Sequence, residues 1–134
     1  MIASAFLALA LTAAPLQTTL TLQTNVKTVT YGHEQKAYVT GDVIPKAPKM
    51  VTGTVTIYWM VNESPTFGDW HKLGIAKVEN PYPTCAVGVY KYTLKPRQLK
   101  PGSYILDATY SGAPGIAAAD TNEQQITPTL VVKR

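Results

Sequence analysis

The stretch that decides the fold runs Leu99-Lys100-Pro101-Gly102-Ser103-Tyr104-Ile105-Leu106-Asp107-Ala108-Thr109-Tyr110-Ser111-Gly112. Leu99 to Gly102 is a turn signal, because proline fixes one backbone angle and glycine accepts conformations that other residues avoid. From Ser103 to Tyr110 every second residue is large or apolar: Tyr104, Leu106, Ala108 and Tyr110 fall in phase. A period of two is that of a strand with one face buried. Ser111 to Asp120 then turns small and turn-prone.

The same period recurs outward from this block. Gly53-Thr54-Val55-Thr56-Ile57-Tyr58-Trp59 places Val55, Ile57 and Trp59 on one face. Val87 to Leu94 carries Tyr90, Tyr92 and Leu94 on one alternation, and Ala37 to Val43 spaces Ala37, Val39, Gly41 and Val43 by two. Thr18 to Gln23 alternates threonine with leucine. Trp70 to Val78 continues the pattern more weakly, with Gly74 expected at a bulge, and Glu123 to Val132 supplies the last run, with Pro128 marking an edge or irregularity. Pro45 and Pro48 predict a loop from Ile44 to Met50, and Asn80-Pro81-Tyr82-Pro83 a turn. No stretch from Thr18 onward keeps a helical period over three turns. Seven short strands, each unable to bury a face alone, predict an all-β, immunoglobulin-like antiparallel β-sandwich. Its expected core is Leu22, Ala37, Val39, Val55, Ile57, Leu94, Leu106, Ala108 and Ile126.

Composition limits the function. The 134 residues suit one domain. Twelve Lys and Arg against eight Asp and Glu give a net charge of +4. The basic residues are scattered, whereas nucleic-acid binding needs a concentrated positive footprint, so none is expected. Cys85 is the only cysteine, which rules out an intrachain disulfide and leaves it as a small apolar filler. Ile2 to Leu11 is an apolar run of signal-peptide length, too short to span a bilayer. Residues 1–17 are therefore expected to be a leader and 18–134 the folded domain of a secreted or cell-surface protein. Lys27, Lys36, Lys133 and Arg134 are expected to guard edge strands against pairing, which favours a monomer.

At this point the block around Tyr104 resembles the bacterial Ig-like repeat domain (group 3). Tyr31-Gly32 ahead of a strand, Gly53 to Tyr58, Leu73-Gly74, Leu99 to Tyr104 and Ala108-Thr109-Tyr110-Ser111-Gly112 follow that family's order over roughly residues 18 to 133. The resemblance implies a tandem, secreted or surface-borne bacterial module acting as spacer or adhesion domain, with no catalytic residues and no cofactor. Ala113 stands where the family commonly has Asp, and Asn62 to Trp70 is longer than its usual connection. Tyr104, just after a turn, is assigned the tyrosine corner, its hydroxyl tied to the backbone a few residues upstream.

Catalysis finds no support in the residues. Four serines (4, 64, 103 and 111) and two histidines (33 and 71) sit in no recognisable motif, and no two acids stand out as a pair. Asp69 and His71 flank Trp70 without a third metal ligand nearby. Binding has better candidates. Phe67, Trp70 and Tyr82 lie outside the core alternation, where aromatics suit stacking on sugars or anchoring on a protein. The competing reading has Trp70 plugging the end of the sandwich and Phe67 packing beneath its loop. The expected partner is thus a protein or a cell-wall polysaccharide surface.

Overall fold

The computed structural model describes residues 14–47, 49–62, 69–81, 87–122 and 127–134. The first strands are β1 (Thr18–Leu20), β2 (Gln23–Thr24) and β3 (Thr28–Thr30). A 3-10 turn at Glu34–Lys36 leads to β4 (Tyr38–Pro45) and β5 (Thr54–Val61). There follow β6 (His71–Lys77), β7 (Gly88–Thr93), β8 (Gly102–Tyr110), β9 (Ala119–Asp120) and β10 (Thr129–Lys133). Each of the seven expected runs overlaps a strand. The extra segments come from a split of the first run and from two short strands, β3 and β9, too brief for an alternation to mark.

Two sheets stack face to face. In one, β4 pairs with β1 and β2 along one edge and with β7 along the other. The second runs β3-β10-β8-β5-β6, with β9 also pairing β8. All ladders between these strands are antiparallel except β3–β10, where Val131, Val132 and Lys133 run parallel to Thr28, Val29 and Thr30. This departs from the wholly antiparallel expectation. It also places Lys133 on an interior strand and not on an edge, since β10 is paired on both sides.

Between the sheets lies one apolar core. Leu22, Ala37, Val39, Val55, Ile57, Leu94, Leu106 and Ala108 are all buried as the alternation requires, while Ile126 lies outside the described residues. Leu20, Val43, Val51, Leu99 and Leu130 are fully buried beside them. Burial at about 1.5–3 kcal/mol per large apolar side chain is what holds the two sheets together.

Three irregularities have local causes. The expected loop from Ile44 begins two residues later, because Ile44 and Pro45 still pair with Thr19 and Thr18. Proline is tolerated there because Lys46, the next residue, supplies the ladder bond by donating to the Gln17 carbonyl at 2.8 Å. Pro45 itself faces Thr18 at a position that exchanges no hydrogen bond. The first run splits because Thr21 leaves the ladder: the Asp42 amide donates to its hydroxyl (2.7 Å) instead of its carbonyl. Leu73 is the extra residue of a bulge, with Ile57 opposite Gly74 but Tyr58 opposite Lys72. That shift lets Leu73 and Ala76, three apart, both face the core. Backbone pairing also reaches back to Leu16, which bridges Ile116 and donates to the Gly115 carbonyl at 2.9 Å.

Candidate functional site

Tyrosine hydroxyls organise the interior. Tyr90 Oη donates to the Thr21 carbonyl (2.5 Å), the group freed by the split in the first strand. Tyr92 Oη donates to the carbonyl of Leu73 (3.2 Å), the bulge residue, which also accepts from Gln98 Nε2 at 2.7 Å. Tyr110 Oη donates to the Thr52 carbonyl and Tyr104 Oη to that of Lys100, each at 2.5 Å. The ring of each of the first two lies against a glycine. A Cβ on Gly41 would come within 2.0 Å of the Thr21 oxygen and 2.5 Å of Tyr90 Oη, and one on Gly74 within 2.2 Å of the Tyr92 ring. Burial pushes the hydroxyls of Tyr90, Tyr104 and Tyr110 above their ordinary range, Tyr90 further still because of the negative charges of Asp42 and Asp107. These groups are neutral donors committed to the fold.

The nominated binding residues fare unevenly. Phe67 and Tyr82 lie outside the described residues, as does Cys85. Trp70 is half-buried immediately before β6. Beside it His71 is exposed, and its ring stacks on Trp59 with centroids 4.5 Å apart. Trp59 in turn meets Tyr104 edge-on at 5.3 Å. Aromatic rings thus gather where Trp70 enters the sheet. Among the described residues no three His, Cys, Asp or Glu side chains come together as metal ligands.

Two clusters went unread in the sequence. The first is a groove of about 420 Å³ on the outer face of the β4–β7 sheet, lined by Gln23, Thr40, Asp42, Lys77, Glu79 and Lys91 around Val89 and Tyr90. Val89 stands opposite Asp42 on one side and exchanges both backbone bonds with Glu79 on the other (2.7 and 2.8 Å), so the two carboxylates flank it. Lys91 stands opposite Thr40 in the next row but one, with its ammonium 4.2 Å over the Tyr38 ring. The groove offers acceptors and ammonium donors to an extended polar partner, and among the described residues its lining holds neither imidazole nor thiol.

The second cluster is a pair of acids that no motif marked. Asp107 on β8 and Asp120 on β9 bring their carboxyl groups to one backbone amide, that of Asn122. Asp107 Oδ1 accepts from Thr121 Oγ1 (2.6 Å) and from the Asn122 amide (2.8 Å), and Asp120 Oδ1 accepts from that same amide at 2.8 Å. Burial, then the hydrogen bond and charge of Asp120, push the Asp107 carboxyl up to about 6. Periodicity put Asp107 on an outer face, and no local signal announced that Asp120, thirteen residues on, would cover it.

No family model matches the chain, and no curated protein does. Solved structures similar in fold include a β-glucosidase from Listeria innocua in complex with glucose, at 13% identity and a TM-score of 0.50 over 87% of this chain. The chain spans only 16% of that enzyme's length. A superoxide reductase (neelaredoxin) from Ignicoccus hospitalis matches at 14% identity and a TM-score of 0.45, covering 87% of this chain and 82% of that one. The alkylpurine DNA glycosylase AlkC from Pseudomonas fluorescens, bound to DNA containing an abasic site analogue, matches at 11% and 0.45, covering 86% and 30%. At such identities the likeness is one of fold alone. Among the described residues no helix is long and apolar enough to cross a membrane.

Proposed function

We propose that this chain is a non-catalytic immunoglobulin-like module, of the bacterial Ig-like repeat kind, serving as a secreted or cell-surface spacer or adhesion domain. The observation that carries this reading is the parallel β3–β10 ladder, bounded by Val131 N donating to the Lys27 carbonyl (2.9 Å) and Tyr31 N to that of Lys133 (2.6 Å). In a parallel pair the N-terminal end of β3 and the C-terminal end of β10 lie at opposite ends of the ladder. Tension applied there slides the strands along their axes and loads all the bonds together, where a hairpin pulled at its open end would lose them one by one. A module built to hold a distance under load has this geometry, and the polar groove on the other sheet leaves a face for contact with a protein or a cell-wall polysaccharide.

The test is to extend the chain between mechanically characterised handles attached at positions 27 and 134, so that tension enters at the two ends of the β3–β10 ladder. A single rupture event is expected, at a force lowered by Val131→Pro, which deletes one donor of the ladder. Gradual extension without rupture, or turnover of a substrate by the purified chain, overturns the reading. Glycan docking through Phe67, Trp70 and Tyr82 is a second reading, favoured by the rings that collect around Trp59 and His71. Retention on insoluble polysaccharide that Trp70→Ala abolishes would select it.

A further inference from the structure

β8 changes partners along one edge. β9 pairs with it at Thr109 and Tyr110, Thr121 N donates to the Ala108 carbonyl (3.0 Å), and β10 takes over at Ile105. At Ala108 the edge is closed by a side chain: the Ala108 amide donates to Thr121 Oγ1 (2.9 Å), and that hydroxyl donates onward to Asp107 Oδ1 (2.6 Å). Fastening of β9 therefore runs through the Asp107 carboxyl group.

Asp107 and Asp120 face each other there with two donors, the Thr121 hydroxyl and the Asn122 amide. Both Oδ1 atoms lie 2.8 Å from the same Asn122 nitrogen, which brings the two carboxyl groups close together. A proton on one of them lets the pair hydrogen-bond, whereas two carboxylates so placed repel. Other charged or titratable groups lie on the elements packed around the pair. Tyr58 is opposite Asp107 on β5, Lys72 is opposite Tyr58 on β6, and Lys46 lines the same cleft as Asp120. Tyr90 on the facing sheet feels Asp107 and Asp42 together.

We propose that Asp107 and Asp120 form a proton-dependent clasp that fastens β9 to β8, closed while the pair shares a proton and loosened when both are ionised. Loosening bares the backbone edge of β8 from Ala108 to Tyr110, an edge that another strand can pair with.

The test is urea unfolding of the wild type, Asp107→Asn and Asp120→Asn across mildly acid to neutral pH. The Asp107 carboxyl lies above its unfolded value of 3.8, at about 6. The native state therefore holds the proton longer, and the stabilisation is fully present below the lower value and lost as pH rises through the higher one. Relative to Asp107→Asn, the wild-type unfolding constant is expected to rise on the order of a hundredfold from about pH 4 to 7. Asp120→Asn is expected to flatten that slope, and wild-type protection of the Thr121 amide from hydrogen exchange to fall over the same range more than that of Val55. Parallel pH profiles for all three proteins, or unchanged relative protection of Thr121, overturn the clasp. Should Asp107→Asn fail to fold, the wild-type Asp107 carboxyl is followed by NMR, and a midpoint at the ordinary aspartate value overturns it equally.

Discussion

Replacing Gly41 by alanine tests the tyrosine ties most sharply. The new Cβ would lie 2.0 Å from the Thr21 carbonyl oxygen, 2.5 Å from Tyr90 Oη and 2.6 Å from Tyr90 Cε1. Non-bonded carbon and oxygen do not approach so closely, and the nearest obstacle is backbone, so the first strand must move away from β4. That motion breaks the bond from Tyr90 Oη to Thr21 and strains the bond from Thr21 N to the Asp42 carbonyl at 3.0 Å. Overpacking costs about 1–3 kcal/mol, and the stranded polar groups about 1–3 kcal/mol more. The stiffer unfolded chain offsets about 0.4–1 kcal/mol of this. A net loss of roughly 2–5 kcal/mol is expected out of a typical total of about 5–15. Urea unfolding followed by circular dichroism and tryptophan fluorescence reads it directly. The same substitution made on Tyr90→Phe is expected to cost about 1–2 kcal/mol less, because that tie is already gone. An alanine variant within about 0.5 kcal/mol of wild type, or an equal cost in both backgrounds, would refute the reasoning.

Glu34 is fully buried, and among the described residues neither carboxyl oxygen has a hydrogen-bond partner. Glu34→Met removes two stranded acceptors at similar volume and is expected to raise stability by about 1–3 kcal/mol, read as a higher Tm. Asn80 pairs with both backbone groups of the buried Val51, its Oδ1 accepting from Val51 N at 3.0 Å and its Nδ2 donating to the Val51 carbonyl. Asn80→Ala is expected to lower stability by about 2–4 kcal/mol, with Asn80→Asp recovering part of that by restoring the acceptor. Tyr90, Tyr104 and Tyr110 all hold their protons longer when folded. Their contribution is therefore fully present below about pH 10 and lost as pH rises further. Ultraviolet titration is expected to show these hydroxyls ionising together with unfolding, and Tyr110→Phe removes one from that step.

Much of the architecture was legible because burying one face of a strand writes itself into every second residue. Val55 and Ile57, or Leu106 and Ala108, needed no more than that count. What the alternation could not carry is anything that depends on a partner distant in sequence. The parallel pairing of β3 with β10 joins residues about a hundred apart, and three-residue strands leave no period to read. The phase shift at Leu73 was anticipated only as a glycine signal at Gly74, since the tyrosine that captures the freed carbonyl sits nineteen residues on. Asp107 and Glu34 went unread for a different reason: an alternation of apolar residues carries no signal for a buried charged group, and both are buried. Of the residues nominated for binding, Trp70 is half-buried, and its neighbours in that role fall outside the described segments.

The fastenings made by Tyr90, Tyr92, Tyr104 and Tyr110 are hydrogen bonds to main-chain carbonyls, in a protein whose single cysteine can close no internal cross-link. Covalent staples, once reduced or wrongly exchanged, take seconds to hours and an oxidant to restore. Here every restraint is rebuilt as soon as the strands meet again. Repeated stretching and slackening thus leaves no chemical scar, and the reducing power of the surroundings has no purchase on how often the domain can recover.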